Sequence, residues 1–177
     1  MGAFSPGIKV SGLNIDSRQG DKAVIEILQS FHGNINISGN AVISKRGNLT
    51  GSEIEAADIP DIVPALSIVA AGAKGVTIIR NVSGLRYKES DRIRAIIDMI
   101  HSLGGAAEYR NNHLIITGKG MLHGGVINSY GDHRIAMAGA VASCICKGEV
   151  EILDYRCTDK SYPDFWDDFK GLEAVKD

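Results

Sequence analysis

Four short polar clusters stand out from an otherwise apolar chain: Asp58-Ile59-Pro60-Asp61, Lys88-Glu89-Ser90-Asp91-Arg92, Asp132-His133-Arg134, and Lys160 at the end of Cys157-Thr158-Asp159-Lys160. Lys88 and Arg92 are four residues apart and share a face wherever that turn is helical. Arg134 falls in the first turn of an apolar stretch, where unpaired backbone N–H groups point outward. A guanidinium fork matches a carboxylate or phosphate with two parallel hydrogen bonds. Ser90 is placed to cap a helix, and the N–H groups beside it add anion affinity. Asp61 and Glu89 are the candidate proton-transfer groups, because neighbouring cations lower a carboxyl pKa and shielding from water raises it. Asp132 reads as a helix cap. His133 reads either as an accessory proton shuttle or as a helix-start hydrogen-bonding group. The competing account is plain: the cations pair with Glu89, Asp91 and Asp132, and Asp61 is a carboxylate stabilised by a helix N-terminus.

The elements that carry these clusters recur. Val10-Ser11-Gly12-Leu13 returns 72 residues later as Val82-Ser83-Gly84-Leu85, and Gly33 and Asn40 fall on Gly105 and Asn112 at the same offset. Such self-similarity marks a repeat architecture. In the first period, Ala23 to Phe31 has helical apolar spacing, with Gly33 as the expected residue after the helix end. Asn34–Ser38 and Ala41–Ser44 form a hairpin about Gly39-Asn40. Pro60 to Ala73 is expected as a buried helix with Pro60 in its first turn, followed by a strand from Val76 to Arg80. The second period repeats this with a helix from Asp91 to Leu103, a hairpin about Asn111-Asn112, a helix from Asp132 to Ile145, with Cys144 and Cys146 read as core, and a strand from Val150 to Leu153. A last helix starts near Pro163, packed down by Tyr162, Phe165 and Trp166. The helices from Ile62 and Ile135 lack a polar side, so they belong in the interior. The expected architecture is therefore α/β (α+β): a prism of repeated β-α-β-α-β-β units, with sheets around internal helices. It forms one domain over 1–177, with repeats at about 8–80 and 81–153 and a partial third unit at 154–177.

Composition narrows the partners. The 177 residues carry a formal charge of −2, against general binding to nucleic acid or acidic membranes. The longest mostly apolar run, Ile62 to Ala73, is too short to cross a bilayer. Three cysteines with no CxxC pair suggest a reduced, cytoplasmic protein. The five histidines show no metal-ligand spacing. Glycine is abundant, at 21 residues, while proline stands at 4, which indicates tight turns rather than linkers.

At the polar clusters the chain resembles the 5-enolpyruvylshikimate-3-phosphate synthase family. The matching stretches are Ile59-Pro60-Asp61, Arg86-Tyr87-Lys88-Glu89-Ser90-Asp91-Arg92, Asp132-His133-Arg134-Ile135-Ala136-Met137 and Cys157-Thr158-Asp159-Lys160-Ser161-Tyr162-Pro163. The family's enzymes look like two similar domains of three repeat units each, with the site in the cleft between them. This chain resembles the C-terminal portion. The N-terminal domain, with its Ser-Ser-Gln phosphate-binding stretch and further cations, has no counterpart here.

The resemblance implies transfer of the enolpyruvyl group of phosphoenolpyruvate to the 5-hydroxyl of shikimate 3-phosphate, a step toward aromatic amino acids that needs no metal or organic cofactor. It implies Asp61 as general base and shikimate 3-phosphate ligand, and Glu89 as proton donor to the phosphoenolpyruvate methylene carbon. Lys88 would contact the shikimate moiety. Arg92, Arg134 and Lys160 would bind phosphoenolpyruvate. The missing N-terminal domain is the implied protein partner, and the chain alone is expected to be inactive. Gly84 stands where some members have a shikimate-contacting Asn, and Asp159 where a small residue is usual. Two alternatives share these residues: a non-catalytic anion-binding module, and a transferase of the same fold acting on another substrate such as UDP-N-acetylglucosamine.

Overall fold

In the computed structural model, residues 1–5, 7–14 and 16–173 are described, so the last four residues of the expected third unit lie outside the described residues. Strand β1 (Ile8–Val10) leads through a 3-10 turn into helix α1 (Val24–Ser30), then strands β2 (Asn34–Ser38), β3 (Ala41–Lys45) and β4 (Glu53–Glu55). Helix α2 (Val63–Gly72), strand β5 (Lys74–Arg80), helix α3 (Arg92–Ser102) and strands β6 (Ala106–Arg110) and β7 (His113–Lys119) follow. The chain ends with strand β8 (Gly125–Asn128), helix α4 (His133–Ala142), strand β9 (Val150–Leu153) and helix α5 (Phe165–Glu173). The run β4-α2-β5-α3-β6-β7 has the expected β-α-β-α-β-β order.

Three sheets result. The largest has the order β4-β5-β7-β6, with β4 parallel to β5 and the other pairs antiparallel. The others are antiparallel β1-β3-β2 and parallel β8-β9. Each parallel pair encloses a helix, as a parallel crossover requires. That helix is α2 between β4 and β5, and α4 between β8 and β9. In α2 every residue but Ala65 and Gly72 is buried, and Ser67 Oγ satisfies itself on the Val63 carbonyl at 2.8 Å. Along β7 the pleat turns Leu114, Ile116 and Gly118 inward. A Cβ at Gly118 would lie 2.3 Å from the carbonyl oxygens of Ala70 and Ala73, so glycine is what lets α2 close onto the sheet.

The local repeat is visible at the helix ends. Phe31 and Leu103 are fully buried. His32 and Gly104 take left-handed φ of 59° and 79°. The amides of Gly33 and Gly105 then donate to Leu28 and Ile100 carbonyls at 2.9 and 2.8 Å. Gly33 is thus not the left-handed residue expected from the sequence. It permits a close approach, since its Cβ would stand 2.5 Å from the Leu28 oxygen. Asn111 and Asn112 both have positive φ, the geometry of a two-residue type I′ hairpin.

Two further expectations are corrected. Pro60 precedes α2, and the proline in the helix's first turn is Pro64. Cys144 is exposed and Cys146 half-buried, because α4 ends at Ala142 and a 3-10 turn over Ser143–Ile145 rotates them out of the core. The aromatic end behaves as read: Trp166 stacks edge-on with Tyr155, and its Nε1 donates to Thr158 Oγ1 at 2.9 Å. No helix among the described residues is long and apolar enough to cross a membrane.

Candidate functional site

Asp61 lies in the turn just before α2, Lys88 to Asp91 in the turn before α3, and Asp132 to Arg134 at the start of α4. The helix starts converge because α2 packs against α3 and α4. Residues more than 70 positions apart in sequence thereby share one cluster.

Asp61 is its centre. Its Oδ1 accepts from Arg92 Nη1 at 2.9 Å and lies 3.5 Å from Lys88 Nζ. Its Oδ2 accepts from Arg134 Nη2 at 3.0 Å, and Arg134 Nη1 also donates to the Asp61 carbonyl at 3.3 Å. Partial burial pushes this carboxyl upward, but the Arg92 hydrogen bond and the charges of Arg134, Lys88 and Arg92 outweigh it and hold it below the ordinary carboxylate range. About a third of the Asp61 side chain remains exposed, so an ionised proton acceptor faces open space.

Arg92 ties the cluster together. It is fully buried and makes four hydrogen bonds: Nη1 to Asp61, Nη2 to Glu89 Oε2 at 2.5 Å, Nε to Asp132 Oδ2 at 2.8 Å, and Nη2 to Asp132 Oδ1 at 3.4 Å. Burial lowers its pKa, but the bonds to Asp132 and Asp61 more than compensate. Arg92 therefore serves three carboxylates in this structure. An incoming anion reaches it by exchanging with Asp61 or Glu89, both partly exposed, and not with Asp132, which is fully buried.

The caps differ from the sequence expectation at one position. Asp91, not Ser90, caps α3, its side chain accepting from the Arg94 amide at 3.3 Å. Ser90 is turned inward instead, donating to Asp132 Oδ2 at 3.0 Å. Asp132 caps α4 through the Arg134 amide at 2.9 Å, as read. No spacing rule pointed to the Ser90–Asp132–Arg92 contacts, because they join positions 40 and 42 residues apart. Two consecutive left-handed residues, Tyr130 (φ 55°) and Gly131 (φ 69°), turn the chain from β8 into α4. Tyr130 Oη donates to Asp98 Oδ2 of α3 at 2.7 Å and fixes that turn.

The remaining predicted residues stand further out. His133 sits half-buried in the first turn of α4, and its side chain makes no hydrogen bond among the described residues. Lys160 is exposed at the end of the 3-10 turn Tyr155–Lys160, which packs on α4. It makes no ion pair with the cluster, but the Cys157 thiol feels the charges of both Asp132 and Lys160. Gly84 has open space where a side chain would stand, and Asp159 is exposed beside Lys160. The cluster sets two partly exposed carboxylates, Asp61 and Glu89, among cations that keep Asp61 ionised, an arrangement that can bind an anionic ligand and exchange protons with it.

A family model described as EPSP synthase (3-phosphoshikimate 1-carboxyvinyltransferase) matches residues 2–169. A 3-phosphoshikimate 1-carboxyvinyltransferase of Clostridium novyi is 40% identical over 176 residues, which is 99% of this chain and 40% of that protein. The protein of the same name from Clostridium beijerinckii is 43% identical over 177 residues, 99% of this chain and 41% of that protein. A solved EPSP synthase from Acinetobacter baumannii superimposes with a TM-score of 0.82 at 29% identity, covering 97% of this chain and 43% of that one.

Proposed function

The chain belongs to the EPSP synthase family, spanning about 40% of the length of the curated relatives it matches, and we propose that it forms the C-terminal wall of an enolpyruvyl-transfer site. The observation that carries this reading is the Asp61 carboxylate held among Lys88, Arg92 and Arg134, with Glu89 on the same guanidinium. An anion-binding module needs the cations alone and gives the two partly exposed carboxylates no task.

The substrates are phosphoenolpyruvate and shikimate 3-phosphate. Asp61 takes the proton of the 5-hydroxyl as that oxygen bonds to C2 of phosphoenolpyruvate, and Glu89 gives a proton to C3, so the methylene becomes a methyl. One methyl proton then returns to the Glu89 carboxylate as the C2–O bond to phosphate breaks. The vinyl group is restored, and the hydroxyl's proton departs with inorganic phosphate. Lys88 orients the shikimate ring. Arg92, Arg134 and Lys160 hold the carboxylate and phosphate of phosphoenolpyruvate, stabilising the charge that moves in both steps. The opposing wall, in the remainder of the enzyme, supplies further cations and excludes water. The setting is a reducing cytoplasm, a reading supported by three cysteines with no CxxC pair.

The test is phosphate release from phosphoenolpyruvate in the presence of shikimate 3-phosphate, with and without the rest of the enzyme. Turnover is expected only when both parts are present. Robust turnover by these 177 residues alone would overturn the half-site reading.

A further inference from the structure

We infer that Asp132, beyond capping α4, is a positioning residue that holds Arg92 and Arg134 together toward Asp61. This rests on the reading of the site as an enolpyruvyl-transfer wall. Asp132 is fully buried and receives four hydrogen bonds: Arg92 Nε at 2.8 Å and Ser90 Oγ at 3.0 Å on Oδ2, the Arg134 amide at 2.9 Å and Arg92 Nη2 at 3.4 Å on Oδ1. That fills the acceptor capacity of a carboxylate. A cap needs only the bond from the Arg134 amide, and neutral asparagine caps as well as aspartate. The remaining three bonds, from Ser90 and Arg92, bring the turn before α3 to the start of α4, so one buried charge fixes the Arg92 guanidinium beside the backbone that carries Arg134. Arg92 and Arg134 then reach opposite oxygens of Asp61. With its Nε and one Nη2 hydrogen on Asp132, Arg92 keeps Nη1 for Asp61 and shares Nη2 with Glu89.

The charged groups around this arrangement are few. Lys88, Arg92 and Arg134 face Asp61, and Glu89 reaches it through Arg92. Beyond Asp132 lie the Cys157 thiol, which burial pushes up, and the exposed Lys160. Removing the Asp132 charge leaves Arg92 less neutralised, so its pull on Asp61 grows and the Asp61 carboxyl moves further down.

The discriminating variant is Asp132→Asn in the full-length enzyme, which preserves the cap and removes the charge. Expected are a drop in kcat of about 10²-fold from misplaced groups, an acid limb of the kcat/KM profile displaced to lower pH, and loss of the exchange-protected Arg92 Nε–H resonance, assigned by its absence in Arg92→Lys. Near-normal kcat with an unmoved acid limb would reduce Asp132 to a cap. A lower kcat with the acid limb and the Nε–H resonance both unchanged would make its role merely structural. Either result overturns the inference. If Asp132→Asn does not fold, Ser90→Ala takes its place. It strips one donor from Oδ2 without touching the cap and is expected to speed Arg92 Nε–H exchange severalfold, and unaltered exchange refutes the clamp. If the wild-type enzyme transfers no enolpyruvyl group, the reading of the site fails, and the Nε–H resonance in substrate-free protein still decides the clamp.

Discussion

At the scale of single residues, the cluster around Asp61 makes distinct demands on activity and stability. Asp61→Ala removes the proposed proton acceptor, and Arg134→Ala removes one of the cations that hold it. Either change in the full-length enzyme is expected to lower kcat/KM by about 10³-fold, within the range that one general base or one charge-stabilising group supplies. Steady-state phosphate release measures this, and near-normal turnover in either variant contradicts the assigned role. Asp61 and Asp132 both titrate below the ordinary carboxylate range. In each, burial raises the pKa, and Arg92 together with the other partners, Arg134 and Lys88 at Asp61 and the Arg134 amide and Ser90 at Asp132, outweighs it. Such groups contribute stability that is fully present above about pH 4, the unfolded carboxyl value, and is lost as pH falls through their lowered folded values. Urea unfolding between pH 6 and pH 3 is thus expected to show a falling midpoint, and Asp132→Asn should flatten that fall. The residues that face the cluster were legible as short charged runs. What Ser90, Asp91 and Asp132 touch was not: Ser90 and Asp91 are adjacent, both good caps, and only the packing of α3 against α4 decides which of them turns inward.

At the scale of elements, periodicity and turn chemistry carried most of the reading. The Asn111-Asn112 hairpin, the buried α2 and the β9 strand follow from residue type and spacing, and each lies where the sequence puts it. The helix edges were less legible. Pro60 and Pro64 are both compatible with a first helical turn. The chain uses the second because residues before it form the turn that delivers Asp61. The tightening after Ala142 has no sequence signal, since Cys144 and Cys146 read as core among apolar neighbours. Close approaches are equally silent in sequence. Gly118→Ala is expected to cost about 3 kcal/mol in equilibrium unfolding, the upper part of the usual range for one substitution, because its Cβ would meet the carbonyl oxygens of Ala70 in α2 and Ala73 at its C-cap. Gly84→Ala, with open space around it, serves as the control and is expected to change stability by less than about 0.5 kcal/mol. Equal losses in the two variants would mean that α2 does not depend on Gly118.

At the scale of the whole molecule, helix packing explains why distant motifs meet. Helices α2, α3 and α4 each begin at a charged turn, and their mutual packing gathers those beginnings. The structure gathers Asp61, Lys88, Glu89, Arg92 and Arg134, but nothing in the order of motifs along the chain foretold that Lys160 would stand apart from these five. The three sheets are also unequally fastened. In the largest, β5 and β7 lie inside four strands, whereas β9 pairs only with β8 among the described residues. A pair of strands on its own is marginal in water. Local opening is therefore expected to start there, and deuterium uptake by the β9 amides should precede uptake by β7. Uptake at equal rates would argue for a uniformly cooperative body. Since the turn that bears Lys160 follows directly on β9, the lysine rides on the loosest-stitched seam of the protein. Its distance from the cluster is thus expected to follow the opening and closing of a single short strand.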